Sequence, residues 1–218
     1  MDEIITQTME ALRKNNMTPY YAEHAADVPG FIEKMIPPGS VVRTGGSVSL
    51  EQSGALRLLS NGKYQYLPHL AVSHCEREHT HRDVDAFSCD WYLTSSNAVT
   101  MHGELYNVDG GGNRVAAMAF GSRRVLVIIG RNKLVPNLEA AIYRVKTVSA
   151  PQNAVRKGHK TYCSQAGHCI AIDRGWDSMT AGCSSPFRIC SSFSVLAHQH
   201  EKFKDRIHVL IVNESLGF

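Results

Sequence analysis

A chain of 218 residues with 43% hydrophobic content can bury one substantial core, and its unbroken alternation of patterns favours a single domain, 1–218, over two. Its 23 basic and 20 acidic residues leave a net charge of +3, and no basic run exceeds Arg123-Arg124, which argues against a nucleic-acid partner. The longest aliphatic run, 125–129, is too short to span a bilayer, and residues 1–16 lack an apolar leader core, so no membrane association and a cytoplasmic location are expected.

In chain order, Ile5, Met9 and Leu12 share one face of a helix over 2–16, and "TPYYAE" follows as a short strand. Asp27 is a candidate N-cap for "DVPGFIEKMI", which stops at Pro37-Pro38-Gly39. "SVVRTGG" reads as a strand ending in a glycine pair, and a helix over "SVSLEQSGALRLLS" starts near Ser47. Residues 75–87 form a polar helix pattern, in which the one-turn spacing of Cys75 and His79 fits a solvated face better than a metal pair. "WYLTSS" is a strand, and "VTMHGELYNV" a hairpin turning at His102-Gly103. After Gly110 to Gly112 comes the helix "NRVAAMAFG". "RRVLVIIG" is continuously apolar, as a strand buried on both faces of a parallel sheet must be, and "PNLEAAIYRVKTV" is a helix opened by Pro136. "RIHVLIVNE" is the last strand, and 158–205 is a long irregular segment of the kind that is functional, metal-stapled or mobile. Alternating strands and helices predict an α/β fold, a mainly parallel sheet covered on both faces.

Two glycine-rich strand-to-helix junctions, "RTGGSVSLEQSG" and "NVDGGGNRVA", lie where open α/β sheets receive ligands. Gly45, Gly46 and Ser47 in one, and Gly110, Gly111, Gly112 and Asn113 in the other, offer bare backbone to an anion, with Arg114 as a guanidinium fork. A tight turn with ordinary N-caps explains either loop equally, and neither matches the phosphate-loop or dinucleotide fingerprints. Asn97 lies between them, while Glu104 and Asp109 are candidates for acid/base or hydroxyl-binding roles. Asp109-Gly110 is also a common turn pair. Asn132 and Lys133 follow the apolar strand directly and project from the same sheet edge, where Lys133 would neutralise an anion or simply be solvated.

In a reducing compartment six cysteines point away from structural disulfides. Cys163, Cys169, Cys183 and Cys190 are separated by five, thirteen and six residues, with His168 as a substitute ligand. Four thiolates would close a zinc site or hold an iron–sulfur cluster, and the absence of a CxxC knuckle leaves a set of free thiols as the other reading.

Together "RTGGSVSLEQSG", the stretch from Thr94 to Lys133, "APQNAVR", "SPFRIC" and "VLIVNESLGF" resemble the LUD domain, the lactate-utilisation protein family formerly listed as a domain of unknown function. The resemblance implies a three-layer α/β/α sandwich similar to the ribose-phosphate isomerase, glucosamine-phosphate deaminase and CoA-transferase group. It implies a setting in organic-acid, L-lactate oxidation beside iron–sulfur oxidase subunits. Three functions follow as expectations: binding of a small anionic or nucleotide-like metabolite, a redox accessory subunit whose cysteine tail holds zinc or a cluster, or a sugar-phosphate isomerase or hydrolase. Self-association is compatible with each. One departure stands out, because relatives with this tail keep the two middle cysteines two residues apart, whereas "IAIDRGWDSMTAG" intervenes here. That insertion is a candidate lid carrying Trp176.

Overall fold

A computed structural model describes residues 2–67, 85–175 and 178–218. The expected polar helix with Cys75 and His79 falls mostly outside these residues, as does Trp176.

Six parallel strands form the main sheet: β1 (Thr18–Ala22), β2 (Val41–Thr44), β3 (Gln65–Leu67), β4 (Trp91–Thr94), β7 (Arg124–Gly130) and β10 (Ile207–Val212), in spatial order β1-β10-β7-β4-β2-β3. β7 lies inside the sheet, between β10 and β4, which is why its sequence is apolar without alternation. Val125, Val127 and Ile129 face a core shared with Ile5, Met9 and Leu12 of α1 (Glu3–Lys14). Leu126 and Ile128 face the opposite core. That second core is closed by Ile32 of α2 (Val28–Met35), Leu50 of α3 (Val48–Gln52) and Leu59 of α4 (Ala55–Leu59). The result is the expected three-layer α/β/α sandwich. The single helix expected from Ser47 is two, because Gly54 adopts φ +74° and ends the first.

A second, four-stranded sheet stands at the carboxyl ends of the first, in the order β8 (Leu134–Val135), β5 (Ala98–Thr100), β6 (Leu105–Asp109), β9 (Ser192–Leu196). The expected hairpin is β5–β6, with Gly103 at φ +79° in the turn. β9 arises within the segment expected to be irregular, pairing antiparallel with all of β6. α5 (Asn113–Ala119) follows the triple glycine and packs Ala117 and Met118 into the α1 core.

The other face of the second sheet is covered by a continuous helical stretch: α6 (Leu138–Arg144), a π-helical turn over Val145–Ser149, and α7 (Ala150–Arg156). It starts at Leu138, two residues later than the expected Pro136 opening, and is capped by Asn137, whose side chain accepts from Ala140 N at 2.9 Å. Pro151 supplies a cause for the widened turn, since it has no N–H to donate and its ring crowds the carbonyl four residues back. Two short helices, α8 (Tyr162–Ala166) and α9 (Ile170–Asp173), complete the cysteine-bearing segment.

Candidate functional site

At the carboxyl ends of β2, β4 and β7 stands a buried lysine. Lys133 is 4% exposed. Its ammonium donates to Ser49 Oγ at 2.8 Å, on the first turn of α3, and to Ser95 Oγ at 3.0 Å, just past β4. No carboxylate pairs with it among the described residues. Burial lowers its pKa to about 7, with Arg144 and Arg114 adding to the effect. Arg144 is the second cation, donating to Asn132 O at 3.0 Å, Asn97 O at 2.8 Å and Ser149 Oγ at 2.6 Å, and burial brings its pKa down to about 10.

Arg114, the third cation, is bound by the protein itself. Its Nη1 donates to Ser95 O at 3.0 Å and Asn107 Oδ1 at 2.6 Å. Its Nη2 donates to Asn97 Oδ1 at 3.0 Å and Val108 O at 2.8 Å, while Nε stands 3.7 Å from Asp109 Oδ2. This guanidinium therefore stitches β4, β5 and β6 together, where the sequence suggested a free fork for an anion. Asn97 completes the stitch by also accepting from Val108 N at 3.0 Å.

The two glycine loops meet, but differently from one another. A Cβ built on Gly45 would fall 2.8 Å from the Tyr92 hydroxyl and 3.3 Å from Arg114 Cδ, so Gly45 lets the first loop reach the arginine. Ser47 caps α3, its Oγ accepting from Leu50 N at 3.3 Å, and Gly46 lies between. The second loop faces the protein's own chain: Gly110 lies against the backbone of Ile189, and Gly112, at φ +82°, against Ser192. The bare backbone of Gly110 and Gly112 thus serves the packing of 188–192 onto the end of β6, Gly111 lies against the Asn113 side chain, and Asn113 begins a helix of only seven residues. The helix after the first loop, α3, has five. The positive charge at this edge comes from side chains more than from helix termini.

Glu104 and Asp109 do not form a pair. Glu104 sits in the β5–β6 turn, where its Oε2 accepts from Thr100 Oγ1 at 2.9 Å, at the opposite end of β6 from Asp109. At roughly 3.3 Å per residue the two are on the order of 15 Å apart. Asn132 has a different task from the one expected: its Oδ1 accepts from Leu216 N at 3.1 Å and its Nδ2 donates to Gly217 O at 3.0 Å. With Ser49 Oγ donating to Leu216 O at 3.1 Å and Gly217 N donating to Gln52 Oε1 at 2.6 Å, this draws residues 213–217 across the sheet edge. Gly217 covers the lysine, and a Cβ there would lie 3.5 Å from Lys133 Nζ. Sequence reasoning missed Ser49, Ser95, Arg144 and Gly130. Ser95, immediately after β4, was the available signal, whereas Ser49 lies in the first turn of the helix that follows β2.

The four tail cysteines come together elsewhere. Cys163, Cys169, Cys183 and Cys190 all line one small cavity of about 20 Å³, with Tyr106 and Lys146. All four are free thiols, and burial pushes those of Cys163 and Cys190 up. Among the described residues no three His, Cys, Asp or Glu side chains already stand as a metal-holding group. His168 is turned away, held by Ala166 O at 3.0 Å and Asp173 Oδ1 at 2.8 Å.

Parallel strands ending at an edge lined by Lys133, Arg144 and Arg114 define an α/β protein with a cationic strand-end face. More narrowly, the chain belongs to the LUD domain family, whose model matches residues 5–212. Its fold is similar to that of a crystal structure of a DUF162 family protein from Deinococcus radiodurans, with a TM-score of 0.53, 13% identity and 96% of each chain covered. Partial likenesses reach eIF2B beta from Chaetomium thermophilum (TM-score 0.37, 17% identity, 52% of this chain and 43% of that one). They also reach ribose 5-phosphate isomerase from Plasmodium falciparum (TM-score 0.32, 13% identity, 52% of this chain and 53% of that one). No curated protein matches. Among the described residues no helix is long and apolar enough to cross a membrane.

Proposed function

We propose that this LUD-domain protein binds a small anionic metabolite of organic-acid utilisation, in the setting of L-lactate oxidation, with Lys133 as the charge that holds it. The observation that carries the reading is the position of Lys133: a 4%-exposed ammonium at the carboxyl ends of the central strands, held by two hydroxyls and, among the described residues, by no carboxylate. Burying such a charge costs stability unless a partner arrives, and a carboxylate or phosphate oxygen is the partner that suits it. The ligand enters the space that Gly217 covers, so the 213–217 segment lifts on binding. Gly45 to Ser47 form the adjacent wall, with the Ser47 hydroxyl proton available to the ligand.

The same lysine supports an enzymatic second reading, of the isomerase or hydrolase type, because an amine titrating near pH 7 can take and return a proton. Thermal melting against carboxylic acids, sugar phosphates and nucleotides tests the first reading. At least one anion should raise the melting temperature of the parent protein and leave Lys133→Met unmoved. A panel without any stabilising anion, or one that stabilises both proteins equally, overturns it. Turnover of any such compound that survives Lys133→Met removes the second reading.

A further inference from the structure

Beyond the anion-binding edge, the geometry points to a single zinc ion held by the thiolates of Cys163, Cys169, Cys183 and Cys190 in the cavity between the second sheet and α8. All four cysteines of the segment from Cys163 to Cys190 line one void of about 20 Å³. A volume of that size admits one water-sized sphere. It suits one metal ion and is too small for the eight-atom core of a four-iron cluster. The insertion between Cys169 and Cys183 is no obstacle, since both cysteines reach the cavity despite it.

Two donors independently indicate an acceptor that the free thiols do not provide. The Tyr106 hydroxyl is fully buried and belongs to a cavity-lining side chain, and among the described residues neither it nor the buried Arg188 Nε has a hydrogen-bond partner. A neutral thiol accepts a hydrogen bond weakly, whereas a metal-bound thiolate accepts it well, as the outer partners of metal sites do.

The surrounding charge has the matching sign. Arg188 Nη2 approaches Cys190 Sγ at 3.6 Å, and its Nη1 donates to Cys183 O at 2.8 Å. Lys146, in the π-helical turn, lines the cavity and donates to Ala181 O, while its backbone carbonyl accepts from Cys169 N at 2.8 Å. Zinc with four thiolates carries a net charge of about −2, and these two cations offset it. Binding converts four thiols and Zn²⁺ into a tetrathiolate and releases four protons, with no change of oxidation state. The four sulfurs draw inward from their metal-free positions as it forms. The ion then pins α8 and the Cys183–Cys190 loop to β6 through β9, and so steadies the end of β6 to which Arg114 is bound.

The test is elemental analysis and native mass spectrometry of the full chain, purified from zinc-supplemented culture under reducing conditions. About one zinc per chain is expected. Cobalt replacement should give the intense sulfur-to-cobalt charge-transfer and visible bands of a tetrahedral thiolate site. Cys163→Ser with Cys190→Ser should lose the metal, and Tyr106→Phe should keep it while the thiols react faster with an alkylating reagent. Because the double variant has its own risk of misfolding, the parent alone also decides the matter. A metal-free parent whose four thiols all react in the native state overturns the proposal, as does a brown protein with iron and sulfide in place of zinc.

Discussion

Lys133 Nζ donates to Ser49 Oγ at 2.8 Å, and the same Oγ donates onward to Leu216 O at 3.1 Å. One serine therefore joins the buried charge to the segment that covers it, so any ligand that engages the lysine must rearrange both.

The ligand-free protein should be destabilised by Lys133 near neutral pH. Its folded pKa is lowered to about 7 from 10.5, so between those values the unfolded chain holds the extra proton and stability rises with pH. Below pH 7 both states are protonated and the full cost is present; above 10.5 it is gone. The span is at most on the order of 5 kcal/mol. Urea unfolding of Lys133→Met should show higher stability than the parent at pH 7, with the difference shrinking towards pH 10. A constant difference across that range would mean the ammonium is not the cause.

Gly130 should not accept a side chain. A Cβ at this position would fall 2.5 Å from Glu214 O and closer still to Leu216 N, both backbone atoms of the covering segment. Gly130→Ala must push 213–217 off the sheet edge or distort β7, at a cost of about 1–3 kcal/mol. Chemical denaturation gives the magnitude, and hydrogen exchange at Leu216 and Gly217 locates it. Unchanged exchange there would contradict the close approach.

Arg114 tests whether the second glycine loop holds ligand or holds structure. Its two Nη atoms reach four acceptors, two on β6 and two in the β4–β5 link, an arrangement a lysine cannot reproduce. Arg114→Lys should cost about 2–4 kcal/mol by leaving buried acceptors unpaired, without the selective loss of anion response expected for Lys133→Met. A variant of parental stability that no longer responds to anions would return Arg114 to a ligand-binding role.

These contrasts mark what the sequence could carry. The apolar run of β7 was legible because a strand buried on both faces needs nothing else to be recognised, and His102-Gly103 announced the β5–β6 turn by its local chemistry. β9 was not legible, since "SFSVL" becomes a strand only by pairing with β6. The triple glycine was correctly placed at a strand end, yet its use depends on residues 188–192, some eighty positions away, packing onto it. Lys133 was legible in position but not in burial, which is set by Ser49, Ser95 and Gly217 from three separate parts of the chain. The four cysteines show the opposite case, where residue type alone selected side chains that the fold then gathers around one cavity.

His208 offers a pH effect in the acid range that is independent of both sites. It lies on β10 at 8% exposure, tilted against Trp91 with ring centroids 5.1 Å apart and stacked on Tyr20 at 5.9 Å. Burial, with Arg124 nearby, lowers its pKa from 6.5 to about 4, while Asp205 opposes the shift. Nδ1 faces the Tyr20 hydroxyl at 3.2 Å, and Nε2 is buried without a partner. The neutral ring is therefore the native form. Above pH 6.5 both folded and unfolded states are uncharged and the stability is intact. As pH falls from 6.5 towards 4 the unfolded chain takes up the proton first, and stability drops by on the order of 3 kcal/mol. His208→Phe keeps the stacked ring and removes the titration, so its unfolding free energy should fall less than that of the parent between pH 7 and pH 4. Parallel pH profiles for the two proteins would show that His208 carries its proton equally in both states, and that the packing of Trp91 and Tyr20 around it does not exclude charge.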